Sequence, residues 1–269
     1  MRKITILGCG SSGGVPRVAQ GWGDCDPNNL RNRRRRCAIL VEQTAAEGVT
    51  TALVDTSPDL REQLLDTGVT RLDGVLMTHS HADHTHGMDD LRPLCLAMRR
   101  RIDIHMDEAT SQIVRRSFAY LFESPVGSFY PPILNDKRLS PGRLCCLEGP
   151  GGAIEAMPFN VVHGETPALG FRIGDLAYTP DLNAVGAESL RFLENLNVWI
   201  IDALRYRPHP SHLTVDEALG WIEKMAPRRA IVTNLHTDLD YETLSRRLPA
   251  NVEPAYDGLV IEESSHFRR

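Results

Sequence analysis

"LMTHSHADHTHGMDDLR", residues 76–92, places four of the chain's ten histidines within eight positions and adds three aspartates. The apolar run "GVLMTH" at 74–79 leads into it, so the polar cluster opens where a strand is expected to end. In an extended strand, residues i and i+2 face the same side, so His79 and His81 can share one metal ion. If the chain then turns into a helix, Asp83 and His84 swing to the neighbouring side and offer a second set of donors. Paired metal ions of this kind sit ~3.5–4 Å apart and share a water. Packing alone gives no reason for His-x-His-x-Asp-His, and metal binding is the reading it supports.

Each donor set needs partners from elsewhere, and candidates stand just past other strand-like runs. His163 follows "FNVV", Asp181 ends "LAYTPD" and His236 ends "IVTNLH". A histidine alone after a strand is more often a hydrogen-bonded or exposed residue than a ligand. His163 and His236 therefore gain weight from the cluster at 79–84 rather than from their own surroundings. Strands are expected at 3–8, 37–42, 51–55, 74–79, 169–174, 176–181, 198–203 and 229–235, each short, apolar and bounded by turn formers. Helices are expected at 58–67, 108–121, 187–196, 214–225 and 241–248. Pro58 after Ser57 predicts one start, and Thr214 three residues before Glu217 predicts a capping box. The Gly/Pro-rich stretch 140–156 reads as a hairpin or connector. Strands that come early with little helix, then mixed elements, predict two packed sheets with helices outside. The fold class is α/β (α+β), in one domain over residues 1–269.

Composition narrows the function. The six cysteines are scattered without a CxxC pair, which argues against a disulfide framework. No window approaches the ~18 apolar residues of a membrane span. "MRKITILGCG" lacks the apolar stretch of a signal peptide, so a cytoplasmic location is expected. A net charge of −5 argues against long nucleic acid as a partner and leaves a small phosphorylated ligand open. A homodimer is compatible with all of this.

"THSHADH" resembles the HxHxDH signature of the metallo-β-lactamase superfamily. Downstream, "VVHGET", "YTPD" and "NLH" occur in the order in which that superfamily supplies its other ligands. "GCGSSGGVP" near the start and "LVDTSPDLREQLL" at 53–65 resemble the branch that contains phosphoribosyl 1,2-cyclic phosphate phosphodiesterases. The resemblance implies a four-layer αββα sandwich with the metals at one edge. It assigns His79, His81 and His163 to one ion, Asp83, His84 and His236 to a second, and Asp181 to both. Two divalent ions are implied, and imidazoles with carboxylates suit Zn²⁺ or Mn²⁺, with Fe²⁺ also compatible. Asp55, ending "TALVD", matches the superfamily's early aspartate and is expected to brace the metal-binding loop.

Such a site lowers the pKa of a bridging water and holds a hydroxide ready to attack. Asp181 in the bridging place leans the reaction towards phosphorus, since lactam-cleaving members often carry a cysteine there. His212, in "RPHPSHLT", matches an accessory histidine of the phosphodiesterase and tRNA-processing branches. It could protonate the leaving alkoxide or hold a phosphate oxygen, which makes Asp181 and His212 the expected catalytic residues. Its plain alternative is a surface residue beside the helix start at Thr214.

Arg205, Tyr206 and Arg207, just past a strand and next to His212, are expected to meet the substrate. The run Arg33–Arg36 is either a solvated face or a second phosphate grip. "SSGGVP" offers free backbone N–H groups to a ligand. His86 reads as a supporting or surface residue, and His105, His209 and His266 receive no role. One departure stands out. The branch's extra structural zinc uses a CxC pair and a histidine three residues after the last ligand. Here Cys25 lies between Asp24 and Asp26, and Leu239 stands three past His236.

The expected activity is hydrolysis of a small phosphate ester, cyclic and ribose- or nucleotide-like, by a dinuclear phosphodiesterase. The alternatives are a tRNA 3′-end endonuclease, a thioester or lactone hydrolase, and a non-catalytic metal-bound carrier or sensor.

Overall fold

The computed structural model describes residues 1–263, so His266 lies outside the described residues. Fourteen strands run in chain order as β1 (Arg2–Gly8), β2 (Ala38–Ala45), β3 (Gly48–Val54), β4 (Gly74–Leu76), β5 (Ile102–Met106), β6 (Leu134–Arg138), β7 (Cys145–Leu147), β8 (Ile154–His163), β9 (Thr166–Ile173), β10 (Leu176–Thr179), β11 (Val198–Asp202), β12 (Arg229–Thr233), β13 (Val252–Pro254) and β14 (Val260–Glu263). Among the described residues they form two seven-stranded sheets, ordered β14-β1-β2-β3-β4-β5-β6 and β13-β12-β11-β10-β9-β8-β7. Each sheet is antiparallel in one half and parallel in the other: β3 to β6 run parallel, as do β10 to β13.

The apolar strands are dense because both of their faces are covered. In β2, Ile39 and Val41 enter the core between the sheets while Ala38 and Leu40 face the other way. In β11, Val198 and Ile200 point inward, and Trp199 and Ile201 pack outward. The outer faces are covered by helices. α1 (Leu60–Thr67), α3 (Arg92–Met98), α4 (Glu108–Ser117) and α5 (Ala119–Phe122) lie with the first sheet, where Leu60, Leu94, Val114 and Leu121 share one core. α6 (Val215–Met225) and α7 (Tyr241–Arg247) lie with the second, through Ala218, Ile222 and Leu244. The short α2 (Ala82–Thr85) belongs to the site. The expected αββα sandwich is the observed architecture. Among the described residues no helix is long and apolar enough to cross a membrane.

Several local expectations change. The first helix begins at Leu60 with Asp59 as its N-cap, because the Ser57 hydroxyl accepts from Asp59 N and holds a turn where Pro58 was expected to open the helix. The 187–196 pattern forms a 3-10 helix over Ala187–Leu193. The 74–79 strand stops at Leu76, because Thr78 N turns to a side chain, Asp55 Oδ1. The capping box of Thr214 and Glu217 forms as its spacing predicts.

The two sheets are joined at the end where their parallel strands finish. Leu169 N donates to Thr78 O at 2.9 Å and Leu235 N to Cys9 O at 2.8 Å, so backbone bonds cross between the sheets there. The segments after β3 and β4 are tied in the same region: Thr56 N donates to His84 O (2.8 Å) and Gly87 N to Thr56 O (2.9 Å).

Gly87 has no room for a side chain, since an added Cβ would stand 2.0 Å from Ser57 O. Gly87→Ala should therefore cost about 2 kcal/mol or more in a urea titration, as overpacking does in a close-packed site. Asp240, the N-cap of α7, supplies a pH prediction. Partial burial opposes its ionisation, but hydrogen bonds from Thr243 N, Asn32 and Asp26 N outweigh burial and bring it from the usual 3.8 to about 2. Its contribution is complete above the unfolded value and is lost as pH falls from about 4 towards about 2. Asp240→Asn should flatten this part of the acid-denaturation profile, measured by circular dichroism.

Candidate metal centre

The donors converge where strands of both sheets end. His79 and His81 follow β4, and Asp83 and His84 ride on α2. His163 closes β8, and Asp181 follows β10. His79, His81, His163 and Asp181 form one group in which the donor atoms all lie within 4.8 Å of one another. Asp83, His84 and Asp181 form a second, so Asp181 belongs to both. Its carboxylate lies 3.7 Å from His79 Nε2, 3.3 Å from His84 Nε2 and 3.7 Å from His163 Nε2.

The hydrogen-bond network assigns the tautomers. His84 Nδ1 donates to Asp55 Oδ2 at 2.7 Å. His163 Nδ1 donates to Ser211 O at 2.8 Å. The Thr78 hydroxyl donates to Asp55 and so accepts from His79 Nδ1 at 3.0 Å. Each ring thus turns its Nε2 to the centre. His81 is reversed: Nε2 faces Thr166 Oγ1 at 3.2 Å and Nδ1 faces His163. An imidazole whose far nitrogen is held by an oxygen acceptor is the usual state of a metal-ligating histidine.

The residues pass a direct test of fit. His79 is fully buried, yet its Nε2 has no hydrogen-bond partner. Burial, with His84 adding to it, holds this ring well below the usual imidazole range, so it is a neutral lone-pair donor. His84 moves the other way: burial lowers it, but Asp181, Asp55 and Asp83 more than reverse this and hold it well above that range. A cation at the second group would take the place of that proton. Nitrogen and carboxylate donors without thiolate suit Zn²⁺, Mn²⁺ or Fe²⁺.

Asp55 and Asn234 both adopt positive φ, 66° and 63°, in a region non-glycine residues seldom occupy. Both stand just past strands, and both serve the site. Asp55 accepts from Thr78 N, Thr78 Oγ1 and His84. Asn234 Nδ2 donates to Asp181 Oδ1 and Asp202 Oδ1.

His212 belongs to neither donor group. Its Nδ1 contacts Asp202 Oδ2 at 2.7 Å and its Nε2 lies 4.0 Å from Asp181. Burial pushes the Asp202 carboxyl up to about 7, while Asp202 raises His212 against the effect of burial on that ring. The pair therefore keeps a proton between Nδ1 and Oδ2 through neutrality. Asp202 was absent from the sequence reading, although "VWIID" ends as "TALVD" does.

A cavity of about 290 Å³ opens onto the centre, with His81, Asp83, Asp181 and His212 on its wall. A larger groove of about 560 Å³, between α6 and residues 249–252, is lined by neither donor group.

Other expected residues are placed differently. His236 lines the cavity but lies outside the second donor group: its Nε2 is against Arg17 Nη1 and its Nδ1 faces Asp238 at 3.3 Å. Tyr206 is not on the wall, because its ring packs against the second sheet's outer core beneath Arg247. Arg205 is on the wall, but its Nε and Nη2 donate to the carbonyls of Arg207 and Pro208. His209, given no role, lines the cavity. His86 is exposed against Phe118.

Three arginines of the run are committed to the fold, and Arg33 is exposed. Arg34 is buried and donates to Leu239 O and His236 O, Arg35 pairs with Asp257 and Asp66, and Arg36 pairs with Asp59. Arg34 Nη1 also lies 3.8 Å from Cys25 Sγ, so a guanidinium joins the loops where Cys25 stands between Asp24 and Asp26.

Because Asp55 orients His84, Asp55→Ala should weaken metal binding about 10–100-fold, the usual cost of removing such a brace. Competition against a chelating dye measures this directly.

Comparison with known proteins agrees with this geometry. Residues 50–234 match the beta-lactamase superfamily domain. The chain is 32% identical over 268 residues to an octanoyltransferase of Porphyromonas gingivalis, covering 97% of this chain and 52% of that protein. It is 34% identical over 125 residues to a ribonuclease Z of Bradyrhizobium sp. (strain ORS 278), covering 44% of this chain and 38% of that protein. The chain thus spans about half or less of the length of these relatives. A solved structure, a new diphosphatase from the PhnP family, superposes with a TM-score of 0.87 and 32% identity over 98% of each chain. With this match, the shared sandwich and donors gathered at one end of it, the chain belongs to the beta-lactamase superfamily.

Proposed function

We propose that the protein is a phosphodiesterase acting on a small phosphate ester, cyclic and ribose- or nucleotide-like, with two divalent ions as cofactors. The observation that carries this reading is the position of His212. It faces the carboxylate common to both donor groups while belonging to neither, so it is free to exchange a proton. The cavity is sized for a small molecule, and similarity to a PhnP-family diphosphatase and a ribonuclease Z supports phosphorus as the electrophile.

Divalent ions held by His79, His81, His163 and Asp181, and by Asp83, His84 and Asp181, would supply Lewis acidity and lower the pKa of water between them. His236 can complete the second group by turning its Nε2 away from Arg17. The chain's own part is to hold and move a proton. His212 Nε2 donates to the leaving oxygen, and Asp202 keeps the Nδ1 proton in place and stabilises the charged ring. Asn234 bridges the two carboxylates, which fixes the distance between donor centre and acid.

A tRNA 3′-end nuclease is the second reading, favoured by the ribonuclease Z similarity. A steep salt dependence of tRNA binding would reveal it.

Protein reconstituted with Mn²⁺ or Zn²⁺ should hydrolyse bis(p-nitrophenyl) phosphate, and a chelator should stop it. His79→Ala or Asp181→Ala should abolish turnover. His212→Ala should lower kcat by about 10²–10⁴, the usual contribution of a general acid. No diesterase turnover with any of these metals contradicts the proposal.

A further inference from the structure

The loop between β1 and β2 carries a cation to the cavity that neither donor group nor His212 uses. Gly14 N donates to Ser11 O at 2.7 Å, and Val15 and Arg34 exchange backbone bonds of 2.8 and 2.9 Å. This folded turn places Arg17 on the cavity wall, with its guanidinium against His236. The path is made by Gly13, where an added Cβ would stand 2.3 Å from Arg17 Nε.

Among the described residues Arg17 has no carboxylate partner. Its contact is the Nε2 of His236. Arg34, Arg35 and Arg36, by contrast, are held by carbonyls or carboxylates. Arg205, also on the wall, is tied to loop carbonyls. A second, independent feature lies in the same cavity. Ser11 is 2% exposed and lines the same cavity, yet its hydroxyl has no hydrogen-bond partner. A buried hydroxyl without a partner is costly unless something else satisfies it.

We propose that Arg17 and Ser11 form a subsite for phosphoryl oxygens, and that Arg17 determines the enzyme's preference for charged phosphate esters. Asp83 and Asp181 line the same cavity and would repel such an anion. The guanidinium offsets this, and its planar fork can pair with two oxygens of one phosphoryl group. The ester preference rests on the phosphodiesterase reading, whereas anion binding does not depend on it.

The experiment titrates inorganic phosphate and pyrophosphate into wild type, Arg17→Ala, Arg17→Lys and Gly13→Ala by calorimetry. Each protein is taken both zinc-loaded and chelator-treated. Gly13→Ala displaces the guanidinium without removing it, and circular dichroism confirms that each variant is folded. Phosphate affinity should fall at least about tenfold in Arg17→Ala and Gly13→Ala, with Arg17→Lys between them and wild type. For bis(p-nitrophenyl) phosphate, KM should rise by a similar factor with a smaller change in kcat.

Phosphate binding that is indifferent to Arg17 overturns the subsite, even if diester turnover is intact. Binding that depends on Arg17, in a protein that turns over no phosphate ester, supports the subsite and removes the phosphodiesterase reading. A loss confined to kcat overturns the specificity role.

Discussion

The Asp181 carboxylate is the point on which the site depends. It is 3% exposed and lies within 4.0 Å of four imidazoles, those of His79, His84, His163 and His212. Desolvating so many polar rings around one anion is costly unless each has a defined partner. The structure provides these partners from outside, through Asp55, Ser211, Thr78 and Asp202. The rings cannot swing away to find water, so their nitrogens stay directed at one small volume. The catalytic reading follows from that restriction.

The restriction is built twice, once from each sheet. Asp55 follows β3 and holds His84, and Asp202 closes β11 and holds His212. In both cases an aspartate at the end of an apolar strand fixes Nδ1 and turns Nε2 towards Asp181. The outcomes differ because of surroundings. His84 sits on α2 within a donor group, whereas His212 sits in the loop before α6 and remains outside one. One device therefore yields a candidate ligand in one sheet and a candidate acid in the other.

What could be read from the sequence was whatever depends on neighbours along the chain. His79, His81, Asp83 and His84 lie within six residues, and their spacing alone separates them into two sets. Strands buried on both faces, such as "CAILVE" and "VWIIDA", announce themselves as apolar runs. β5 and β6 escaped notice because "IDIHM" carries half-buried polar residues at alternate positions and "LNDKR" is a polar edge strand. Arg17 and His209 were missed because they reach the cavity through loop folding, which no local pattern encodes. Tyr206 was misplaced for a related reason: adjacent to Arg205, it turns its ring to the core. The arginine run, legible from sequence as either a solvated face or a phosphate grip, does not act as one unit: Arg33 is exposed, Arg34 is buried, and Arg35 and Arg36 are paired.

The donors of the first group come from both sheets, with His79 and His81 from one and His163 and Asp181 from the other. An ion bound there would be a clasp across the sandwich as well as a reagent. Opening the sandwich would require releasing it, so resistance to unfolding would track the free concentration of the ion. At a hundred times its dissociation constant the gain is ~2.7 kcal/mol. The protein's lifetime in a cell would then report metal supply, quite apart from its rate of turnover.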